Sequence, residues 1–339
     1  MILFSYMYER LKERMSMCTT YPCFIFFADT HFRIDKPGWD NSGFHQVLDK
    51  AALESPLFIL IGGDLIDNGK DENYQAFIEL CINYTITTGI PIIPIIGNHH
   101  YYQVTNPLNK YHHYIGPANF RLEIEGGLSD TLTIVGFNDA QPYRQGTSGN
   151  IPDMKDKTCT KMWKKFDWHL FDFSAKYLNQ DSHFVDNLDN SQGNHIIVSM
   201  HVPPRLNPLA SALYGKIKEE YPYCAGTKLL QKLIKYYRDL WMLVHSNSTT
   251  DKGNSTKLFV DTIQKRNKVE MVMTGHVHTY YWFSRLDGHQ IDYVISGGGG
   301  NNNQVGSLQG FPVTKRHYIK VVFNPDSQRF EHQKINAGN

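Results

Sequence analysis

Five short apolar runs, each halted by a polar residue or a glycine, constrain this chain more than any other feature. Cys23 to Ala28 stops at Asp29, Leu57 to Ile61 at Gly62-Gly63-Asp64, and Ile92 to Ile96 at Gly97-Asn98. His195 to Met200 stops at His201, and Val269 to Thr274 at Gly275-His276. Runs this short and this apolar read as strands buried on both faces. Helical patterns, as over Asn73 to Thr88 and Lys257 to Arg266, fall between some of them. Strands alternating with helices imply an α/β architecture. In open α/β sheets ligands gather where strands end, and here every such end carries a candidate metal ligand.

A length of 339 residues with 41% hydrophobic side chains suits a single large domain over 1–339 carrying insertions. Two stretches break the strand–helix rhythm. Ala140 to Asn194 is polar, with an aromatic helical patch from Trp163 to Phe173. Pro203 to Thr256 holds Pro203-Pro204, a helical pattern from Thr227 to Val244 and a polar run after it. Both read as insertions at the strand-end face, forming either a cap over the site or surface decoration. The Gly297 to Gly300 run is followed by Asn301 to Asn303 and no helical pattern, so it reads as a loop and not a phosphate cradle.

Lys and Arg total 34 against 33 Asp and Glu, a net charge of +1. That balance gives no sign of a nucleic-acid-binding or membrane-surface protein, which usually carries a basic bias. Five cysteines, an odd number with no C-x-x-C pair, argue against a disulfide framework or a thiolate zinc site. They favour a reducing compartment. The N-terminus begins apolar but meets Glu9 and Arg10 too soon for a signal peptide, and no segment reaches ~18 uninterrupted apolar residues. The expectation is a cytoplasmic protein without a membrane span.

The polar residues that end the runs form an ordered set: Asp29-Thr30-His31, Gly63-Asp64, Gly97-Asn98-His99, His201, and Gly275-His276-Val277-His278. Each alone is weak, since a lone His after a strand is more often structural than a ligand. Together and in this order they resemble the signature of the calcineurin-like metallophosphoesterase superfamily, over about Phe24 to Gly300. The resemblance implies a two-sheet β-sandwich core flanked by helices, and a metal-dependent hydrolase of phosphomonoesters or phosphodiesters.

It also implies two divalent or trivalent metal ions. Asp64 would bridge them, with Asp29, His31 and His278 completing one site and Asn98, His201 and His276 the other. Two cations held close can lower the pKa of a water between them and clamp phosphoryl oxygens. On an extended segment the i, i+2 spacing of His276 and His278 puts both rings on one side. Nitrogen and oxygen ligands without thiolate favour Mn, Fe, Zn or Ni. His99, outside the ligand count, would act on the leaving group as general acid or hydrogen-bond donor. Asp67 would place its carboxylate on the far ring nitrogen of His99; a turn-capping role in Asp67-Asn68-Gly69 is the alternative.

Departures narrow the resemblance. Purple acid phosphatases carry Gly where His31 stands and a metal-bound Tyr at Asp67. Protein Ser/Thr phosphatases carry phosphate-gripping Arg residues where this chain has Asn68 and Ile96. The position after His99, usually acidic, is His100, either a substrate-facing donor or an exposed residue. Two alternatives stay open. A nuclease of the same superfamily would use the lysines at 155, 157, 161, 164 and 165, whose bland reading is a solvated helix face. A non-catalytic scaffold of the same fold, as in the retromer subunit, would have lost ligands. The expected partner is a phosphorylated small molecule or a phosphodiester.

Overall fold

The computed structural model describes residues 2–18, 23–101, 104–125, 131–139, 183–204, 251–276, 278–284, 290–300 and 316–338, with backbone alone for 251–257. Most of both expected insertions, and with them the cap reading and the lysine cluster, lies outside the described residues.

The five apolar runs all form strands: β1 (Cys23–Phe27), β2 (Phe58–Ile61), β3 (Ile92–Pro94), β6 (His195–Ser199) and β7 (Val269–Thr274). Six more join them: β4 (Phe120–Glu125), β5 (Thr131–Gly136), β8 (Tyr280–Ser284), β9 (Asp292–Ser296), β10 (His317–Asn324) and β11 (Arg329–Asn336). They build two mixed sheets, ordered β11-β10-β1-β2-β3 and β4-β5-β6-β7-β9-β8. Within the first, β1, β2 and β3 run parallel while β10 pairs antiparallel to β1. Within the second, β5, β6, β7 and β9 run parallel. Parallel neighbours end on the same edge, and the ligand candidates therefore share one.

Alternation along the strands divides the core into layers. In the second sheet Ile197, Met271, Met273 and Val294 turn inward to the cluster shared with the first sheet. Their neighbours Ile196, Val198, Val272 and Tyr293 turn the other way. That outer face is covered by α5 (His183–Asp189) and α6 (Asp251–Gln264), through Phe184, Leu188, Phe259 and Ile263. Helices α1 (Leu3–Ser16), α2 (Ser42–Leu53) and α3 (Asp71–Thr88) supply the buried Leu3, Met7, Leu11, Phe44, Val47, Tyr74 and Phe77 on the side of the first sheet. The N-terminal segment is thus an amphipathic helix, its i, i+4, i+8 stripe buried and Glu9, Arg10, Lys12 and Glu13 left outside. No described helix is long and apolar enough to cross a membrane.

Far from the shared edge, a polar tie joins the sheets. Glu270 on β7 accepts the main-chain N–H of Phe330 on β11 at 3.0 Å, and its other oxygen lies 2.6 Å from His195 Nδ1 on β6. The His195 ring packs on Phe323 and Phe330. This histidine, at the opposite end of its strand from His201, is structural.

Candidate metal centre

Each strand hands the chain to a sharp turn. Asp29, His31, Asp64 and His276 all have left-handed backbones, with φ of 63°, 45°, 46° and 67°. Non-glycine residues hold such angles at a cost of roughly 1–3 kcal/mol each, persisting where surrounding structure imposes them. Here the turns impose them on one another. Asp29 and His31 donate main-chain N–H groups to the carbonyls of Gly63 and Asp64, at 3.1 and 2.9 Å, and Gly275 donates to His201 at 3.0 Å. The buried Thr30 hydroxyl donates to the Leu65 carbonyl at 2.6 Å, which gives the middle residue of Asp29-Thr30-His31 its own task.

Glycines leave room for the convergence. A Cβ on Gly97 would fall on the Asp64 main-chain nitrogen and Oδ1, and one on Gly63, whose φ is 100°, would fall on the His201 ring. Gly97→Ala is therefore expected to displace the Asp64 carboxylate. Since a misplacement of about 1 Å at a reacting site costs ~100-fold, activity should fall at least that far, with metal content, read by elemental analysis, falling alongside. Full metal content with full activity would contradict this packing.

Among the described residues three groups of ligand-capable atoms lie inside 4.8 Å of one another: His31 with Asp67 and His99, and the two clusters of ligand candidates, Asp29 with His31 and His278, and Asp64 with His201 and His276. Asp64 stands between them. Its Oδ2 is 3.1 Å from His201 Nε2 and 3.8 Å from His31 Nε2, while its Oδ1 accepts the His99 main-chain N–H at 2.8 Å. In the first cluster His31 Nε2 and His278 Nε2 are 3.0 Å apart, and Asp29 Oδ1 is 3.5 Å from His278 Nε2. In the second, Asn98 Oδ1 is 2.9 Å from His201 Nε2. Four of these residues (Asp29, His31, Asp64, Asn98) follow strands of the first sheet; His201, His276 and His278 follow strands of the second.

These atoms fit cations and little else. The Gly62 carbonyl lies 2.9 Å from His201 Nδ1, so that nitrogen carries the proton. In the neutral ring Nε2 then turns a lone pair on two further acceptors, Asn98 Oδ1 and Asp64 Oδ2. Burial disfavours an imidazolium at His201, yet the charges of Asp64 and Asp29 and the bond to Asp64 outweigh it and raise its pKa to about 10. The pocket demands positive charge at that point. Asp29 Oδ1, buried and without a hydrogen-bond partner, makes the same demand in the other cluster. Burial and the neighbouring His99 push His31 well below the usual histidine range, and burial and His201 do the same to His276. Both rings are kept neutral, as ligands must be. Atoms about 2.1 Å from a shared cation stand roughly 3–3.5 Å from one another, close to the spacing here.

Around the ligands, the structure departs from the sequence reading at two residues. The far ring nitrogen of His99 meets the Asp67 main-chain carbonyl, at 2.7 Å, while the carboxylate Oδ1 stands off at 3.7 Å. The carboxylate is drawn instead to Arg33, with Oδ2 2.6 Å from Nη1. His100 is neither substrate-facing nor exposed. It is fully buried, 2.8 Å from the Tyr74 hydroxyl, and burial lowers its pKa to about 3.

One contributor carries no motif. The buried carboxylate of Asp139 accepts the main-chain N–H groups of His201 and Val202, at 3.1 and 2.8 Å, and so fixes the turn that presents His201. Burial raises its pKa to about 7. The only signal in the sequence is an Asp two residues past the end of an apolar run, over Thr131 to Phe137.

The family model for calcineurin-like phosphoesterases matches residues 24–280. The chain belongs to that family. It is a hydrolase of phosphoric esters, and the family together with the Asp and His clusters points to a dinuclear metal site. Among solved structures it is similar to a dimetal phosphatase from Danio rerio, at 12% identity and a TM-score of 0.46, covering 94% of this chain and 100% of that one. It is also similar to vacuolar protein sorting 29 from Cryptosporidium parvum, at 9% identity and a TM-score of 0.34, covering 94% and 99%. No curated protein sequence matches it.

Proposed function

We propose that the chain hydrolyses a phosphomonoester or phosphodiester of a small molecule by water attack between two metal ions. The observation that carries this reading is the Asp64 Oδ2 atom, set between His201 and His31 of the two clusters. Asp29, His31 and His278 would hold one ion, Asn98, His201 and His276 the other, and Asp64 both. When bound, the ions supply charge for the phosphoryl oxygens and lower the pKa of the attacking water. The nitrogen and oxygen donor set suits Mn, Fe, Zn or Ni.

His99 supplies the remaining chemistry. With Nδ1–H given to the Asp67 carbonyl, the imidazolium form would carry its second proton on Nε2 and give that proton, or a hydrogen bond, to the departing oxygen. Its side chain is 22% exposed where the ligand histidines His31 and His201 are closed to solvent, which suits contact with a substrate. A net charge of +1 supports a small phosphorylated substrate over a nucleic acid. Among the described residues, the free thiols of Cys23 and Cys81 support a reducing compartment such as the cytoplasm.

The test is reconstitution with each metal and assay on p-nitrophenyl phosphate, bis-p-nitrophenyl phosphate and cyclic nucleotides. Turnover of at least one with two metals per chain, lost on chelation and restored by metal, is expected. No turnover of any phosphoester by protein holding two metals would defeat the proposal.

A further inference from the structure

Beyond the ligands, one guanidinium is held far more firmly than a surface arginine requires. Arg33 reaches Asp35 through Nε at 2.6 Å and Nη2 at 3.2 Å, and Asp67 through Nη1 at 2.6 Å. Asp35 also accepts Lys70 Nζ at 2.7 Å and the buried Asn73 Nδ2 at 3.0 Å. Asn41 clasps the Arg33 backbone from both sides, accepting its N–H at 3.1 Å and donating to its carbonyl at 2.8 Å. The loop after β1, the loop after β2 and the first turn of α3 are thereby fastened to the Arg33–Asp35 pair.

This network meets the site at one residue, Asp67. Its carbonyl takes the His99 ring at 2.7 Å, and its Oδ1 is 3.7 Å from Nδ1 of both His31 and His99. The buried His31 Nδ1 has no hydrogen-bond partner. Without Arg33, the Asp67 carboxylate would face two imidazoles with nothing to hold it back, and the residue whose carbonyl holds His99 would keep only its main-chain bond to the Phe32 carbonyl, at 3.1 Å. An exposed ion pair, worth little to stability, would not call for three segments to converge on it. With its side chain 18% exposed, Arg33 is a half-buried anchor.

We propose that Arg33 is a positioning residue for the hydrolysis, acting through Asp67 on the orientation of His99. The proposal rests on the role given above to His99. Arg33→Gln is expected to lower kcat by about 10–100-fold, as loss of an orienting partner commonly does. KM should stay within about 2-fold and both metals should be retained. The loss should be larger for alkyl phosphates than for p-nitrophenyl phosphate, and Arg33→Lys should recover part of it. Added to His99→Asn, Arg33→Gln should cost nothing further. If Arg33→Gln does not fold, Arg33→Lys must show a smaller loss with the same leaving-group bias, vanishing in the His99→Asn background. A raised KM with unchanged kcat, a lost metal, equal loss for every leaving group, or an undiminished loss in the double variant would each overturn the proposal. Absence of leaving-group bias in His99→Asn alone would count against the acid role; the double variant reads the coupling of Arg33 to His99 in either case.

Discussion

Asp64→Asn is expected to lose metal and with it all measurable hydrolysis. The substitution keeps the side chain's shape, including an oxygen to accept the His99 main-chain N–H, and removes only the charge. That charge is buried, 1% exposed; burial alone would raise the Asp64 pKa, yet the surrounding His201, His99 and His31 and the bond to His201 draw it well below the carboxylate range. Removing one partner of a buried charge pair costs about 3–5 kcal/mol, or roughly 10²–10⁴-fold in affinity. Because both clusters share this carboxylate, both should weaken together. Metal stoichiometry measured over a range of free metal, beside turnover, decides the matter. Near-normal turnover with two metals bound would remove Asp64 from the centre of the site.

For His99→Asn the expectation is different in kind. The metals and fold should remain while kcat falls by about 10²–10⁴-fold, the range typical of general acid–base catalysis. The loss should shrink for p-nitrophenolate, which departs without a proton, and grow for alkyl alkoxides, which need one. Asp67→Asn should cost less, because the main-chain carbonyl that holds the ring survives the substitution. Combined with His99→Asn it should add nothing, the mark of two groups acting as a unit. A stripped metal, or equal loss for every leaving group, would make His99 a positioner of phosphate or of the site itself.

The seven ligand candidates were legible because their signal is local: an apolar run, a glycine or carboxylate, then a His, Asp or Asn. The same runs announced the five strands that carry them. Pairing was not legible. Nothing near Cys23 says that β1 lies antiparallel to β10, where Cys23 stands opposite Val322. The alternating β10 and β11, and the aromatic β8, carry no residue that chemistry would single out. The Asp67 carboxylate went to Arg33 because the loop after β1 folds back over the loop after β2, a contact between segments with no shared pattern. His100, expected either to face substrate or to be exposed, is buried instead. Tyr74 and Tyr111, which enclose it, come from separate helices, α3 and α4 (Pro107–Tyr114).

Because four of the ligand candidates belong to one sheet and three to the other, a bound ion pair would act as a rivet through the sandwich. Prising the layers apart at that edge would require releasing the metals, so thermal resistance and metal affinity become one quantity seen from two sides. At a free concentration 100-fold above Kd a single such ion adds about 2.7 kcal/mol. Substitutions buried between the sheets and remote from any ligand, at Met271 or Ile197, would then be read out first as weaker metal retention.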